Sequence, residues 1–447
     1  MVSDPLSSQQ RSTTGGSSLV EVARAIEAPI VRPWGGDIPP VIERAEGSHL
    51  WDVDGTRYLD LSGSLAATIV GHGHPRVVAR VQEQAPRLMH CPPDRLSVVR
   101  VELLEQLRSL APKGLTRVAL AVTGSDANEL AVRLALAATG RGDIVAFAGG
   151  YHGNGGLARA LSSRRQPADR TELTLGFRIH HLPYPDPFRP PFGVDAETVG
   201  SRCLDHLADR VDDPYSGLGL PAAVIVEAVL GSGGIVVPPR TFLASLAAWC
   251  RAHGVLLIVD EVQTGFGRTG ATWSIEHSQV VPDLLTFGKG IGGGLAVAGV
   301  LGESELMGAL PPRSHSTTFL TNALNLAAAS AAIDVFRDEE LAERSRRLGE
   351  RLLHEAEDVL GARPEVGEVR GLGLMVGIEL VSDRRTREPA PELAVEVVEA
   401  CRSRGILVAA SGRWRNVLKL TPPLVIDEQD LLDAISSIGS VLAERAR

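Results

Sequence analysis

VLLIVDEVQTGFGRTG, residues 255–270, sets five apolar residues directly before an acidic pair and a run of glycines. The run Val255–Val259 has no polar alternation, as expected of a strand covered on both faces. The chain leaves such a strand at Asp260, which puts that carboxylate at the rim of a sheet, partly buried. A buried carboxylate needs a cation or a metal as partner, because desolvating it alone is costly. The fragment therefore allows three readings: a partner to a protonated nitrogen of a bound ring, a magnesium ligand, or an exposed turn.

Outward from this stretch the chain alternates apolar runs and helices. Val77–Met89, Val98–Leu110 and Leu130–Ala138 read as helices, and Val118–Val122, Ile144–Phe147 and Ala222–Val226 as buried strands. That alternation predicts a parallel sheet covered on both faces. Asp54-Gly55 is a turn between the strand-like runs LWDV and RYLDL. HLPYPDPFRPPFG, within 166–213, reads as an irregular surface excursion. An amphipathic pattern runs from Ala327 through Leu360, followed by strands at Gly373–Leu380 and Val417–Leu420 and a last helix from Glu428. The expected division is a tail over 1–25, an N-terminal segment 26–70, a large domain 71–325 and a C-terminal part 326–447 that joins the N-terminal segment.

Three more clusters follow apolar runs, at the strand ends where open α/β sheets bind ligands. In TGSDANE, 123–129, Gly124 permits a tight turn, and the free amides of the helix start with the Ser125 hydroxyl suit a phosphate. A helix closed by an Asp126–Glu129 capping box is the plainer reading. In PDLLTFGKGIGGG, 282–294, Lys289 stands between glycines: a desolvated nucleophilic amine, or an exposed lysine in a mobile loop. The surroundings match neither GxxxxGK[ST] nor GxGxxG, which removes a P-loop and a dinucleotide fold. Tyr151-His152-Gly153 offers an aromatic face for a ring, or a packed tyrosine. Were the ring pyridoxal phosphate (PLP), Asp260 would keep its nitrogen protonated and Gln263 would reach its hydroxyl.

Composition narrows the classes. A 447-residue chain that is 44% hydrophobic holds a large core. Its net charge of −9 disfavours nucleic acid, and the basic runs Arg164–Arg165 and Arg344–Arg347 read as solvated surface. Cys91, Cys203, Cys250 and Cys401 are widely spaced, which fits a reducing cytoplasm and neither disulfides nor zinc. No metal is expected, no apolar run spans a bilayer, and the first 18 residues lack the apolar core of a signal peptide.

In order and spacing, WDVDGTRYLD, GHGHP, TGSDANE, YHG, IVDEVQTGFGRTG, PDLLTFGKGIGGG, STTFLTNALNLAAA, RGLGLMVGIEL and PPLV resemble the class III (ω-amino acid) aminotransferases of PLP fold type I. The resemblance implies an α/β fold: a large domain with a mainly parallel seven-stranded sheet and a smaller α+β domain from both termini. It implies an amino transfer between an amine or ω-amino acid donor and a keto acid or aldehyde acceptor. By it, Lys289 joins PLP as a Schiff base and moves the proton, Asp260 pairs with the ring nitrogen, and Val262 and Tyr151 sandwich the ring. Gln263 bonds the ring oxygen, Gly124 and Ser125 hold the phosphate, and His152 and Glu227 line the site. Thr318 reaches the neighbouring subunit's phosphate, which implies a homodimer with shared sites.

Trp34, Ser64, Ser232 and Lys419 fall on the substrate side. Many members carry arginine where Lys419 stands and glutamate where Ser232 stands. Lysine is a poorer carboxylate fork. Those two residues are similar to the family's phospholyases, so a PLP lyase, racemase or decarboxylase is the alternative activity. Ser64 and Tyr151 replace the glutamine and tryptophan of the similar dialkylglycine decarboxylases.

Overall fold

The computed structural model describes residues 15–28, 39–163 and 176–445. Strands β1 (Ile42–Glu46), β2 (His49–Asp52) and β3 (Arg57–Asp60) form an antiparallel meander, and the turn between the last two sits at Asp54-Gly55, as its dipeptide predicts. Asp52 holds that turn by accepting the amides of Asp54 and Thr56.

A seven-stranded sheet follows: β4 (Arg117–Ala121), β5 (Asp143–Phe147), β6 (Arg178–Leu182), β7 (Ala223–Glu227), β8 (Leu256–Asp260), β9 (Leu284–Phe287) and β10 (Ala298–Gly302). Its order is β4-β10-β9-β8-β7-β5-β6, parallel throughout except for β10, which runs against both neighbours. The strands other than β10 therefore end at one rim. β5, β7, β9 and β10 are buried along their whole length, with separate apolar clusters on the two faces, which is why the sequence shows unbroken apolar runs there.

The C-terminal region adds β11 (Val366–Leu372), β12 (Met375–Asp383), β13 (Glu388–Pro389), β14 (Ile406–Leu407), β15 (Ala409–Ser411) and β16 (Val417–Leu420). β11-β12-β16-β15 make a sheet of their own, while β14 joins β3 in parallel and so ties the C-terminal part to the N-terminal meander.

The structure departs from the sequence reading in several places. The expected tail over 1–25 includes a helix, Gly16–Ile26, whose first amide is held by Asp54; residues 1–14 lie outside the described chain. The pattern from Ala327 to Leu360 is two helices, Ala323–Asp338 and Leu341–Leu360, broken where Glu340 turns left-handed at φ 47°. The proline-rich excursion begins inside β6 and buries Tyr184 against the carbonyls of Glu227 and Ala228, so it is not wholly at the surface. Arg344 is no free surface charge, for it donates to the carbonyls of Leu424 and Ile426. Arg164 and Arg165 lie outside the described residues.

Candidate active site

The sheet register builds the site. Glu227, Asp260 and Thr286 stand side by side at the ends of β7, β8 and β9, since Glu227 pairs with Asp260 and Asp260 with Thr286. Two residues beyond β9 the backbone turns at Lys289 (φ 44°), and its ammonium donates to Gln263 Oε1 at 2.9 Å. Thr123, Gly124, Ser125, Asn128, Tyr151, His152, Gly153, Glu227, Asp260, Val262, Gln263 and Lys289 line one cavity of about 180 Å³.

Asp260 is 3% exposed and its carboxylate is held by protein donors. Its Oδ2 accepts from Asn128 Nδ2 and lies 2.8 Å from His152 Nδ1, and its Oδ1 accepts the Val262 amide. Burial would raise its pKa, but the His152 bond and charge, with the Val262 and Asn128 donors, outweigh it and hold the carboxyl below the usual range. The same pairing with Asp260 outweighs burial at His152 and raises that imidazole. Thr286 Oγ1 donates to Asn128 Oδ1 at 2.7 Å, which fixes the amide that faces Asp260. The sequence reading missed Asn128 and Thr286. The signal was the asparagine inside TGSDANE, four residues past Gly124 on one helix face.

Glu227 accepts the amides of Tyr151 and Gly231, while burial pushes its carboxyl upward. Burial likewise lowers the Lys289 amine, against the pull of Glu227 and Asp260 and with the push of Arg268. Desolvation favours the neutral, nucleophilic form of such an amine. Gln263 presents its Nε2 to the interior with no acceptor, a buried donor that needs a ligand.

Gly124 is required for a reason other than the expected tight turn. It carries no left-handed φ, but a Cβ there would stand 2.7 Å from Val262 Cγ1. The helix Gly124–Thr139 is capped by Thr123, whose hydroxyl accepts the Asp126 amide, and Asp126 in turn accepts the Val122 amide. The N-cap is therefore Thr123, three residues earlier than expected, with no Asp126–Glu129 capping box, and Glu129 instead accepts from Ala158. Ser125 Oγ accepts the Asn154 amide and keeps its own proton for another partner.

The substrate-side residues are placed apart from this cavity. Lys419 lies in β16, buried, within electrostatic reach of Lys289 and Glu227. Ser232 is in the loop between Leu230 and Val236, its carbonyl accepting from Gly412. Ser64 is in a turn whose residues Gly63, Ser64, Leu65 and Ala66 are all left-handed (φ 46–64°), tied by its amide to Asp60. Thr318 is exposed, and Trp34 falls outside the described residues.

Residues 30–442 match the family model Aminotransferase class-III. The chain belongs to the class III aminotransferases. A 5-aminovalerate aminotransferase from Pseudomonas aeruginosa is 37% identical, over 92% of this chain and 95% of that protein. A leucine/methionine racemase from Thermococcus litoralis is 32% identical, over 91% of each. An amine transaminase from an uncultivated Pseudomonas species, solved in PLP-bound form, is 29% identical with a TM-score of 0.87, covering 94% of this chain and 99% of that one. As a class III aminotransferase the protein is a PLP-dependent enzyme of fold type I. The cavity suits that cofactor: a helix start with a free Ser125 proton for a phosphate, an ionised buried carboxylate for a ring nitrogen, an unmatched amide donor on Gln263, and a lysine amine beside it.

Proposed function

We propose that Lys289 is the residue that joins PLP covalently and carries the proton during amino transfer. The observation behind this is that its amine meets Gln263 at 2.9 Å in the cavity that also holds Asp260. When bound, PLP supplies an electrophilic carbon and an electron-accepting ring. Asp260, kept ionised by His152 and Asn128, holds the proton on the ring nitrogen. Gln263 Nε2 donates to the ring oxygen. Val262 and Tyr151 cover the two ring faces, and Glu227 sets the Tyr151 backbone through its amide. The amides after Gly124 and the Ser125 hydroxyl bind the phosphate. Lys289, with its amine lowered by burial, takes a proton from substrate carbon and returns it to the adjacent position.

The donor is an amine or ω-amino acid and the acceptor a keto acid or aldehyde. The working form is a homodimer in which Thr318 reaches the partner's phosphate site. Thr318 is exposed here, beside Phe319 (62% exposed), and Leu96 and Val98 also leave apolar surface uncovered. Residues 71–325 form the large domain, and 26–70 with 326–447 the small one, in keeping with the pairing of β14 on β3. A cytoplasmic location fits four buried, unpaired cysteines. Among the described residues, no helix is long and apolar enough to cross a membrane.

A donor panel tests the reading. An amine or ω-amino acid should bleach the visible band of the holoenzyme, and a keto acid should restore it. Turnover that releases phosphate or carbon dioxide, or inverts a stereocentre, with no keto acceptor would instead establish the lyase, racemase or decarboxylase activity.

A further inference from the structure

A second cavity, of about 130 Å³, lies where the proline-rich excursion meets the C-terminal sheet, and it shares no lining residue with the cavity around Lys289. An alternating stack of arginines and aromatic rings runs past it, with Arg189, Trp414 and Arg413 in its wall. Arg387 lies 4.9 Å from the centre of the Phe188 ring. Arg189 lies 5.2 Å from Phe188 and 4.7 Å from Trp414, and Arg413 lies 5.4 Å from Trp414. The stack holds the Trp414 ring in place yet leaves it 41% exposed.

Inside, the ion pairs are closed. Buried Glu379 meets Arg189 at 2.6 Å and Arg370 at 2.7 Å, and Arg370 also meets Glu368 at 2.7 Å. Asp186 accepts the amides of Phe188 and Arg189. One buried acceptor is left over. Asn416 is fully buried and turns its Nδ2 to the Leu380 carbonyl and to Glu379. Both neighbours are acceptors, so the amide nitrogen belongs there and Oδ1 faces elsewhere, with no donor. A buried oxygen of this kind calls for an N–H or O–H from a ligand. At the rim the imbalance has the opposite sign. Arg413 and Arg415 are exposed and, among the described residues, have no carboxylate at ion-pair distance, in a chain of net charge −9.

We propose that this cavity binds a nucleoside phosphate, with a neutral, amino-bearing base inside against Trp414 and the phosphate outside on Arg413 and Arg415. The base amino group donates to Asn416 Oδ1. The division of charge decides the class. An anion has no place beside Glu379 and Asp186, and a cation has none beside two unpaired arginines. The volume admits only a ring-sized head, since sites for whole small molecules run to roughly 300–1,000 Å³. Trp414 and the arginine planes beside it give a flat base its stacking partners.

Isothermal titration of the holoenzyme with AMP, GMP and CMP, whose bases all carry an amino group, tests the site. At least one should bind saturably and leave the visible cofactor band unchanged. Its nucleoside, which lacks the phosphate, and ribose 5-phosphate, which lacks the base, should each bind at least about tenfold more weakly. UMP, with no amino group, should also bind more weakly. Trp414→Ala, and separately Arg413→Ala combined with Arg415→Ala, should weaken the bound nucleotide roughly tenfold or more. Failure of all three nucleotides to bind, or binding that survives in Trp414→Ala, would overturn the proposal. So would equal binding of UMP, the nucleoside or ribose 5-phosphate, or a nucleotide that displaces the cofactor band and so occupies the other cavity.

Discussion

At the scale of single residues, the site depends on how Asp260 is held. Asn128 and His152 share one of its oxygens, and Thr286 fixes the Asn128 amide. Removing the Asn128 donor takes a hydrogen bond from a buried ion, so Asn128→Ala should lower kcat about 10- to 100-fold. Thr286→Val should cause a smaller fall, because it frees the amide without deleting it. Steady-state kinetics with a donor found in the panel would check the order, and equal effects would deny the relay. Lys419 also shapes stability. An unfolded lysine keeps its proton to about pH 10.4, while the folded Lys419 gives it up near 7. Between those values the unfolded chain binds more protons, so this residue makes stability rise with pH, and its contribution is lost as pH falls through about 7. The urea midpoint of Lys419→Met should therefore exceed the wild type's near neutrality, by a margin that shrinks towards pH 10. The place of Asp260 at the sheet rim was legible from the apolar run before it, whereas the glycines around Lys289 fitted an exposed loop better and only the family resemblance singled that lysine out. The ring of donors around Asp260 was not legible, because Asn128 reaches it from the helix Gly124–Thr139 and Thr286 from the neighbouring strand, both distant in the chain.

At the scale of elements, apolar runs gave away the buried strands. The long helix Gly124–Thr139 was also foreseen in its second half. What escaped were elements decided by tertiary contacts. β10 enters antiparallel between β4 and β9, a pairing that no local pattern encodes. The break at Glu340 depends on one backbone angle in a sequence of good helix formers. The left-handed turn at Gly63–Ala66 is the most strained element. It is held by Asp60, which accepts from Ser62, Ser64 and His72. Left-handed geometry costs a residue with a Cβ roughly 1–2 kcal/mol, which glycine largely avoids. Leu65, φ 61° and largely exposed, should thus accept glycine with a gain of about 1 kcal/mol in unfolding free energy. A lower urea midpoint for Leu65→Gly would show that the leucine makes contacts worth more than its strain.

At the scale of the whole molecule, the sheet brings segments far apart in sequence to one rim, and β14 on β3 closes the two chain ends together. All four cysteines are buried, and burial raises Cys203 and Cys250 to about 12 and Cys401 to about 11. Ellman's reagent should find almost no reactive thiol in the native protein and all four after denaturation; rapid native labelling would mean that the packing opens readily. Light scattering should give twice the chain mass, since Phe319, next to Thr318, and Leu96 and Val98 leave apolar side chains exposed. The most direct measurement uses the scarcity of lysine. Borohydride reduction of the holoenzyme, followed by peptide mapping, has three side chains to choose from: Lys113, Lys289 and Lys419. The pyridoxyl label should fall on Lys289 alone. A label on either of the others, or on none, would contradict the assignment of the site.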